Sequence, residues 1–255
     1  SDGTYTDCTI TVTDSAGNPS NVWIINPFVI VCSSGCFVAV GGAGNIVRSN
    51  GNGTSWDNVT SPTGKGLYGV TYGNNTFIAS GQSSNIIRSS DNGSSWDNVT
   101  SPVAVGYLIG LGFGNNTFVG GGDDGNIIRS TDNGSSWDNV TSSPVAIPFG
   151  GNRRLRAVAF GNNTFIIVGD PGLIVRSTDN GSSWDNVTSP TSNFIYKVGF
   201  GNNTFVSVGF TGTIIRSTDN GSSWDNVTSP TAYHLYGVAF GNNTFIIVSS
   251  GGNVF

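Results

Sequence analysis

From Phe37 to the end of the chain one arrangement of apolar and polar positions recurs. Residues 67–72 alternate small and large side chains, and short apolar runs follow at 77–80, 86–89 and 96–99. β-Branched and aromatic residues enrich all four runs, and no segment holds a helical period for a useful length. Gly-Asn-Asn-Thr separates the first run from the second, and Asp-Asn-Gly-Ser-Ser separates the third from the fourth. Asn, Asp and Gly accept the backbone angles of tight turns, so the pattern predicts units of four short antiparallel strands.

The spacing of the units sets the architecture. Trp56, Trp96, Trp137, Trp184 and Trp224 follow one another at 40, 41, 47 and 40 residues, close to the length of a propeller blade at about 40–45 residues. A second landmark, the Phe of Gly-Asn-Asn-Thr-Phe, recurs at Phe77, Phe118, Phe165, Phe205 and Phe245, with Phe37 as a diverged sixth copy. The expected fold is all-β, a six-bladed β-propeller of four-stranded antiparallel blades forming one domain over 1–255. Residues 27–255 hold the repeated blades. After Phe245 only a second strand and the start of a third remain, while residues 8–13 alternate and Val22-Trp23-Ile24-Ile25 offers a fourth-strand tryptophan. The N-terminal strands, 1–26, are therefore expected to complete the last blade, either in their own chain, which is favoured, or in a neighbour's.

Composition changes the picture in three ways. Only 10% of residues are charged and the net charge is −5, which argues against nucleic acid or an anionic membrane as partner. No apolar run is long enough to cross a bilayer. The absence of Met and the start at Ser1-Asp2-Gly3 read as a mature, secreted, extracellular product. Three cysteines, Cys8, Cys32 and Cys36, are disulfide candidates in that setting, with the pairing open.

The segment Ser89-Ser90-Asp91-Asn92-Gly93-Ser94-Ser95-Trp96, repeated around Asp132, Asp179 and Asp219, resembles the Asp-box, or bacterial neuraminidase repeat. One copy departs from it, with Gly51 where the Asp belongs. The surrounding unit, with its Val-x-Phe first strand and Ile-Arg-Ser third strand, is similar to propellers of photosystem assembly-factor type. The resemblance covers nearly the whole chain and implies architecture, because the box is a folding motif.

Catalysis finds no support. Sialidases of this repeat family pair a Tyr with a Glu, and the chain contains no Glu. Arg48, Arg88, Arg129, Arg176 and Arg216 occupy one blade position five times, which suits bracing of the box turns rather than convergence on a substrate. One histidine, His234, and three clustered cysteines make no zinc set. No cofactor is expected; Asp123-Asp124 is a weak calcium candidate, outweighed by a solvated loop.

Five repeats each carry three Asn-x-Ser/Thr triplets. The favoured glycan acceptors are Asn58, Asn98, Asn139, Asn186 and Asn226 in the outer strand and Asn74, Asn115, Asn162, Asn202 and Asn242 in the first turn. These turns lie on one face of an up-and-down blade. The other face carries the variable turns and interblade links, with Tyr107, Phe149, Arg153, Arg154, Arg156, Phe194, Tyr196, Tyr233 and His234, a composition suited to contact.

These features make the leading expectation a non-enzymatic extracellular structural glycoprotein, self-associating in a surface layer, sheath or filament. A secreted lectin or adhesin binding a glycan or protein on the variable face is the alternative. The assembly-factor role implied by the resemblance ranks third.

Overall fold

The computed structural model describes residues 35–50, 53–104, 106–140 and 153–255. The N-terminal segment predicted to close the ring, with Cys8 and Cys32, lies outside them, as does Phe149. Cys36 is disulfide-bonded, with its other half outside the described residues.

The chain is all-β, with antiparallel sheets of a propeller following one another in sequence. The first sheet holds β1 (Phe37–Val40), β2 (Ile46–Ser49) and β3 (Asp57–Val59). Four complete sheets follow. They are β4 (Leu67–Gly73), β5 (Thr76–Gly81), β6 (Ile86–Ser89) and β7 (Asp97–Val99), then β8 (Leu108–Gly114), β9 (Thr117–Gly122), β10 (Ile127–Ser130) and β11 (Asp138–Asn139). The next two are β12 (Leu155–Gly161), β13 (Thr164–Gly169), β14 (Leu173–Ser177) and β15 (Asp185–Asn186), and β16 (Ile195–Gly201), β17 (Thr204–Gly209), β18 (Ile214–Ser217) and β19 (Asp225–Asn226). A final pair, β20 (Leu235–Gly241) and β21 (Thr244–Ser249), ends the chain, with Val254 bridged to Val248. The first strands β4, β8, β12, β16 and β20 lie side by side.

Local chemistry explains each corner. Both central residues of the Asn-Asn turns have positive φ, as at Asn74 (45°) and Asn75 (56°), the requirement of a type I′ hairpin that Asn meets at least cost. The second strands read as unbroken apolar runs because both of their faces are covered: every residue of β5, β9 and β13 is buried. The core lies between blades. Ile166 and Val168 of β13 and Ile174 of β14 pack with Ile195, Phe205 and Trp224 of the next blade.

The Asp-box is a closed hydrogen-bond unit. Ser89 Oγ donates to Asp91 Oδ1 (2.7 Å) and accepts from Gly93 N–H (2.9 Å). Asp91 also accepts from the Ser95 N–H and hydroxyl, and Trp96 Nε1 donates to Gly93 O at 3.1 Å. The recurring arginines brace the box of the following blade: Arg88 Nε donates to Asn133 O (2.7 Å), Arg129 to Asn180 O (2.8 Å) and Arg176 to Asn220 O (2.8 Å). They therefore stitch neighbouring blades together.

These bonds add a pH-dependent contribution to stability. At Asp219 the Ser223 hydroxyl and N–H hold the carboxyl down at about 2 from its usual 3.8. At Asp132 burial pushes upward most, but the Ser136 hydroxyl and N–H and the Ser130 hydroxyl together outweigh it, again giving about 2. A folded value below the unfolded one means stabilisation that is complete above pH ~4 and lost as pH falls through ~2. The melting temperature is expected to drop across that window, and less steeply in a D132N/D219N variant. Equal slopes in calorimetric scans at stepped pH would remove these carboxylates from the account.

Candidate functional site

A defect repeated in five blades builds the site. Pairing of the first strand with the second slips between Leu67 and Gly69, Leu108 and Gly110, Leu155 and Ala157, Ile195 and Lys197, and Leu235 and Gly237. The anchoring Leu or Ile before each slip is buried. The residue skipped by the ladder is Tyr68, Ile109, Arg156, Tyr196 or Tyr236, and such a bulge turns its side chain away from the sheet. Just before the bulge the carbonyls of Gly66, Tyr107, Arg154, Phe194 and His234 accept the N–H of Gln82, Asp123, Asp170, Phe210 and Ser250 at 2.8–3.0 Å. Each of these five blades thus brings three variable positions to the same end of its first strand.

The side chains there form two linked groups. Tyr68 and Tyr107 meet edge to face at 5.6 Å, and the Arg154 guanidinium lies 5.6 Å from the Tyr107 ring centre. Arg154 Nε donates to Asp123 Oδ1 (3.0 Å), and Asp123 Oδ2 accepts the Tyr107 N–H (3.1 Å). Arg156 donates to Asp170 Oδ2 at 2.5 Å and sits 5.4 Å over Tyr196. Tyr196 stacks on Tyr236 with 5.3 Å between ring centres and 13° between planes. His234 meets Tyr236 edge-on at 6.1 Å and stacks on Phe210 at 4.4 Å, and Phe210 is 6.0 Å from Phe194. A cavity of about 330 Å³ opens between Tyr68, Tyr107, Ile109, Arg154 and Arg156.

Two groups in this region are shifted by burial. Burial raises the Tyr196 phenol, with Tyr236 adding to the effect and Arg156 opposing it. Loss of solvation lowers the Lys197 amine, which stands where the other blades have Gly69, Gly110, Ala157 and Gly237. Among the described residues no His, Cys or Asp cluster is arranged for a metal. Asp123, the weak calcium candidate, is committed to Arg154 and the Tyr107 backbone instead. His234 accepts the Thr211 N–H at Nδ1 (3.1 Å), so this nitrogen serves a turn. The arrangement is equipped to hold a chain segment by stacking and hydrogen bonds.

Of the contact residues expected from sequence, Tyr107, Arg154, Arg156, Phe194, Tyr196 and His234 come together here. Arg153 lines a separate cavity of about 170 Å³ with Pro171, Asn186 and Val187. Tyr233 lies outside the stack, its ring against Gly251. Sequence reasoning missed Tyr68, Ile109 and Tyr236; it put Asp123, Asp170 and Phe210 in the variable turns of this face without their partners. The five skipped residues carried a readable signal, because they vary one place after an otherwise constant Leu or Ile.

The described residues form an Asp-box β-propeller with a variable aromatic and arginine rim. The family described as Photosynthesis system II assembly factor YCF48 matches residues 107–255, and the chain belongs to that family. Its members are assembly factors rather than enzymes. The fold is similar to YCF48 from Cyanidioschyzon merolae, with 16% identity, a TM-score of 0.68, and coverage of 90% of this chain and 81% of that one. A structure of YCF48 bound to D1 peptide is similar at 16% identity and TM-score 0.66, covering 91% and 81%. The computationally designed Ika8 protein follows at 14% identity and TM-score 0.68, covering 89% and 68%. No curated protein matches the chain.

Family membership corrects several expectations. The structural glycoprotein, the self-associating filament, the lectin or adhesin alternative and the extracellular location are all overturned by membership of a photosystem II assembly-factor family. The role ranked third from the resemblance belongs first. The asparagines of the triplets also have structural roles of their own: Asn74 and Asn115 hold positive φ, and the Asn98 and Asn226 side-chain amides donate to Pro62 O and Pro190 O at 3.2 and 3.3 Å across the blade boundary.

Proposed function

We propose that this chain is a non-catalytic photosystem II assembly factor that holds a segment of a photosystem II protein, of the D1 type, on the aromatic and arginine rim. The carrying observation is the bulge repeated in five blades, which presents variable side chains at one end while the rest of each blade stays nearly constant. The D1 peptide bound to the structural neighbour supports the partner class. No cofactor enters this reading, and the site of action is the compartment in which photosystem II is built.

Fluorescence anisotropy with overlapping D1 peptides tests the reading. At least one peptide is expected to bind, and Y196A to weaken it about 30-fold, the loss of a central aromatic contact worth ~2 kcal/mol. The exposed D225N variant is expected to bind normally. Absence of binding by every peptide at millimolar concentration would remove D1 as the partner.

We further propose that residues 1–255 make one six-bladed ring, closed within the chain by residues 1–26 completing the sheet of β20 and β21. Identical sequences support this. Ile166 and Val168 in Thr164-Phe165-Ile166-Ile167-Val168 are fully buried against the next blade, whereas Ile246 and Val248 in the same pentapeptide are 47% and 43% exposed among the described residues. Closure would set them against the first sheet, where Phe37 and Trp56 form the same ring pair as in other blades.

A further inference from the structure

We infer that the cavity between Tyr68, Tyr107, Ile109, Arg154 and Arg156 takes an aromatic side chain of the bound segment as its anchor, in preference to a carboxylate. The inference rests on the assembly-factor reading and names what the partner must present at this point.

Charge decides first. Two arginines border the cavity, a composition that would ordinarily indicate an acidic ligand. Each is already matched, Arg154 by Asp123 at 3.0 Å and Arg156 by Asp170 at 2.5 Å. The four groups sum to no net charge, so a carboxylate entering the cavity gains little attraction and loses its hydration. Flat surfaces remain. One face of Arg154 already lies by Tyr107 and one of Arg156 over Tyr196, but both side chains keep exposed surface, 34% and 26%, and a guanidinium is weakly hydrated and stacks on rings.

Shape and lining agree with this. Tyr68 and Tyr107 stand edge to face, an arrangement that an added ring extends without like faces meeting. Ile109, the one apolar residue among the five bulge positions, lines the cavity. The volume of about 330 Å³ lies at the small end of ligand sites, room for one ring and its Cβ rather than a folded element. Placement of the cavity on a preformed rim limits the ordering cost to the incoming segment.

The test is a heteronuclear NMR titration of the full chain with N-acetyl-phenylalanine amide, N-acetyl-leucine amide and N-acetyl-glutamate amide. The phenylalanine compound is expected to shift the Arg154 and Arg156 Nε–H and Ile109 amide signals with a dissociation constant of about 1–5 mM. Binding is expected to be at least threefold weaker for the leucine and glutamate compounds, and for phenylalanine amide with Y68A. Raising salt to about 0.5 M should leave the phenylalanine affinity within twofold, because no net charge is neutralised. Equal or tighter binding of the glutamate compound, or no shift at these signals, would overturn the inference. If D1 peptides bind while phenylalanine amide does not, the anchor falls and the assembly role stands. If phenylalanine amide binds while no D1 peptide does, the cavity stands and the D1 partner falls.

Discussion

Ile246→Ala is expected to cost about 2–5 kcal/mol, the range for emptying a buried aliphatic site, and to lower the melting temperature by roughly 5–15 °C in a domain of this size. The reason is the repeat. Ile166, its counterpart, is fully buried between blades, packed with Ile195, Phe205 and Trp224. A closed ring places Ile246 in the same surroundings, while an open edge leaves a half-exposed isoleucine whose removal changes stability by only about 0.5 kcal/mol. I166A supplies the internal reference. Thermal melts in which I246A matches I166A support closure; a melt of I246A unchanged from wild type would show that the last sheet stays uncovered.

Gly169→Ala is expected to damage stability and the rim together. A Cβ on Gly169 would stand 1.8 Å from the Arg154 carbonyl oxygen and 3.1 Å from Leu155 Cα. Backbone cannot rotate aside as a side chain can, so the strand pair must separate, at about 1–3 kcal/mol or more for overpacking. The separation displaces the segment carrying Arg154 and Arg156 and loosens the Asp170 N–H bond to the Arg154 carbonyl (3.0 Å). Affinity for the bound peptide should fall at least tenfold, measured by anisotropy at a temperature where the variant remains folded. Gly64→Ala is the control, because nothing lies within 4 Å of its added Cβ. It should leave both quantities near wild type, and a G169A protein indistinguishable from G64A would contradict this account of the bulge.

The contact between Gly169 and the Arg154 carbonyl shows where sequence reading stopped. The glycines at Gly81, Gly122, Gly169 and Gly209 recur in sequence, but their cause is a carbonyl pressed onto each by the bulge in the neighbouring strand. A bulge leaves little mark on the apolar pattern, since the residue it skips carries almost any side chain. Tyr68, Ile109 and Tyr236 were therefore read as ordinary strand residues, although Tyr107, Arg154, Arg156 and Tyr196 were legible as a variable face. The asparagine triplets misled for the opposite reason. A turn that demands positive φ at two successive residues selects Asn strongly, and duplication then multiplies any motif that Asn completes.

The sequence by itself determined the all-β repeat, the order and approximate positions of the strands, the Asp-box turns and the resemblance to photosystem assembly-factor propellers, because these follow from local spacing and turn chemistry that each unit restates. Tertiary structure alone decided which variable residues meet. It put Asp123 on Arg154, Asp170 on Arg156 and Tyr196 on Tyr236, and it turned the recurring arginines outward to the next blade's box. Those pairings join residues from neighbouring strands and blades, and sequence separation carries no record of which side chain a bulge turns toward which neighbour.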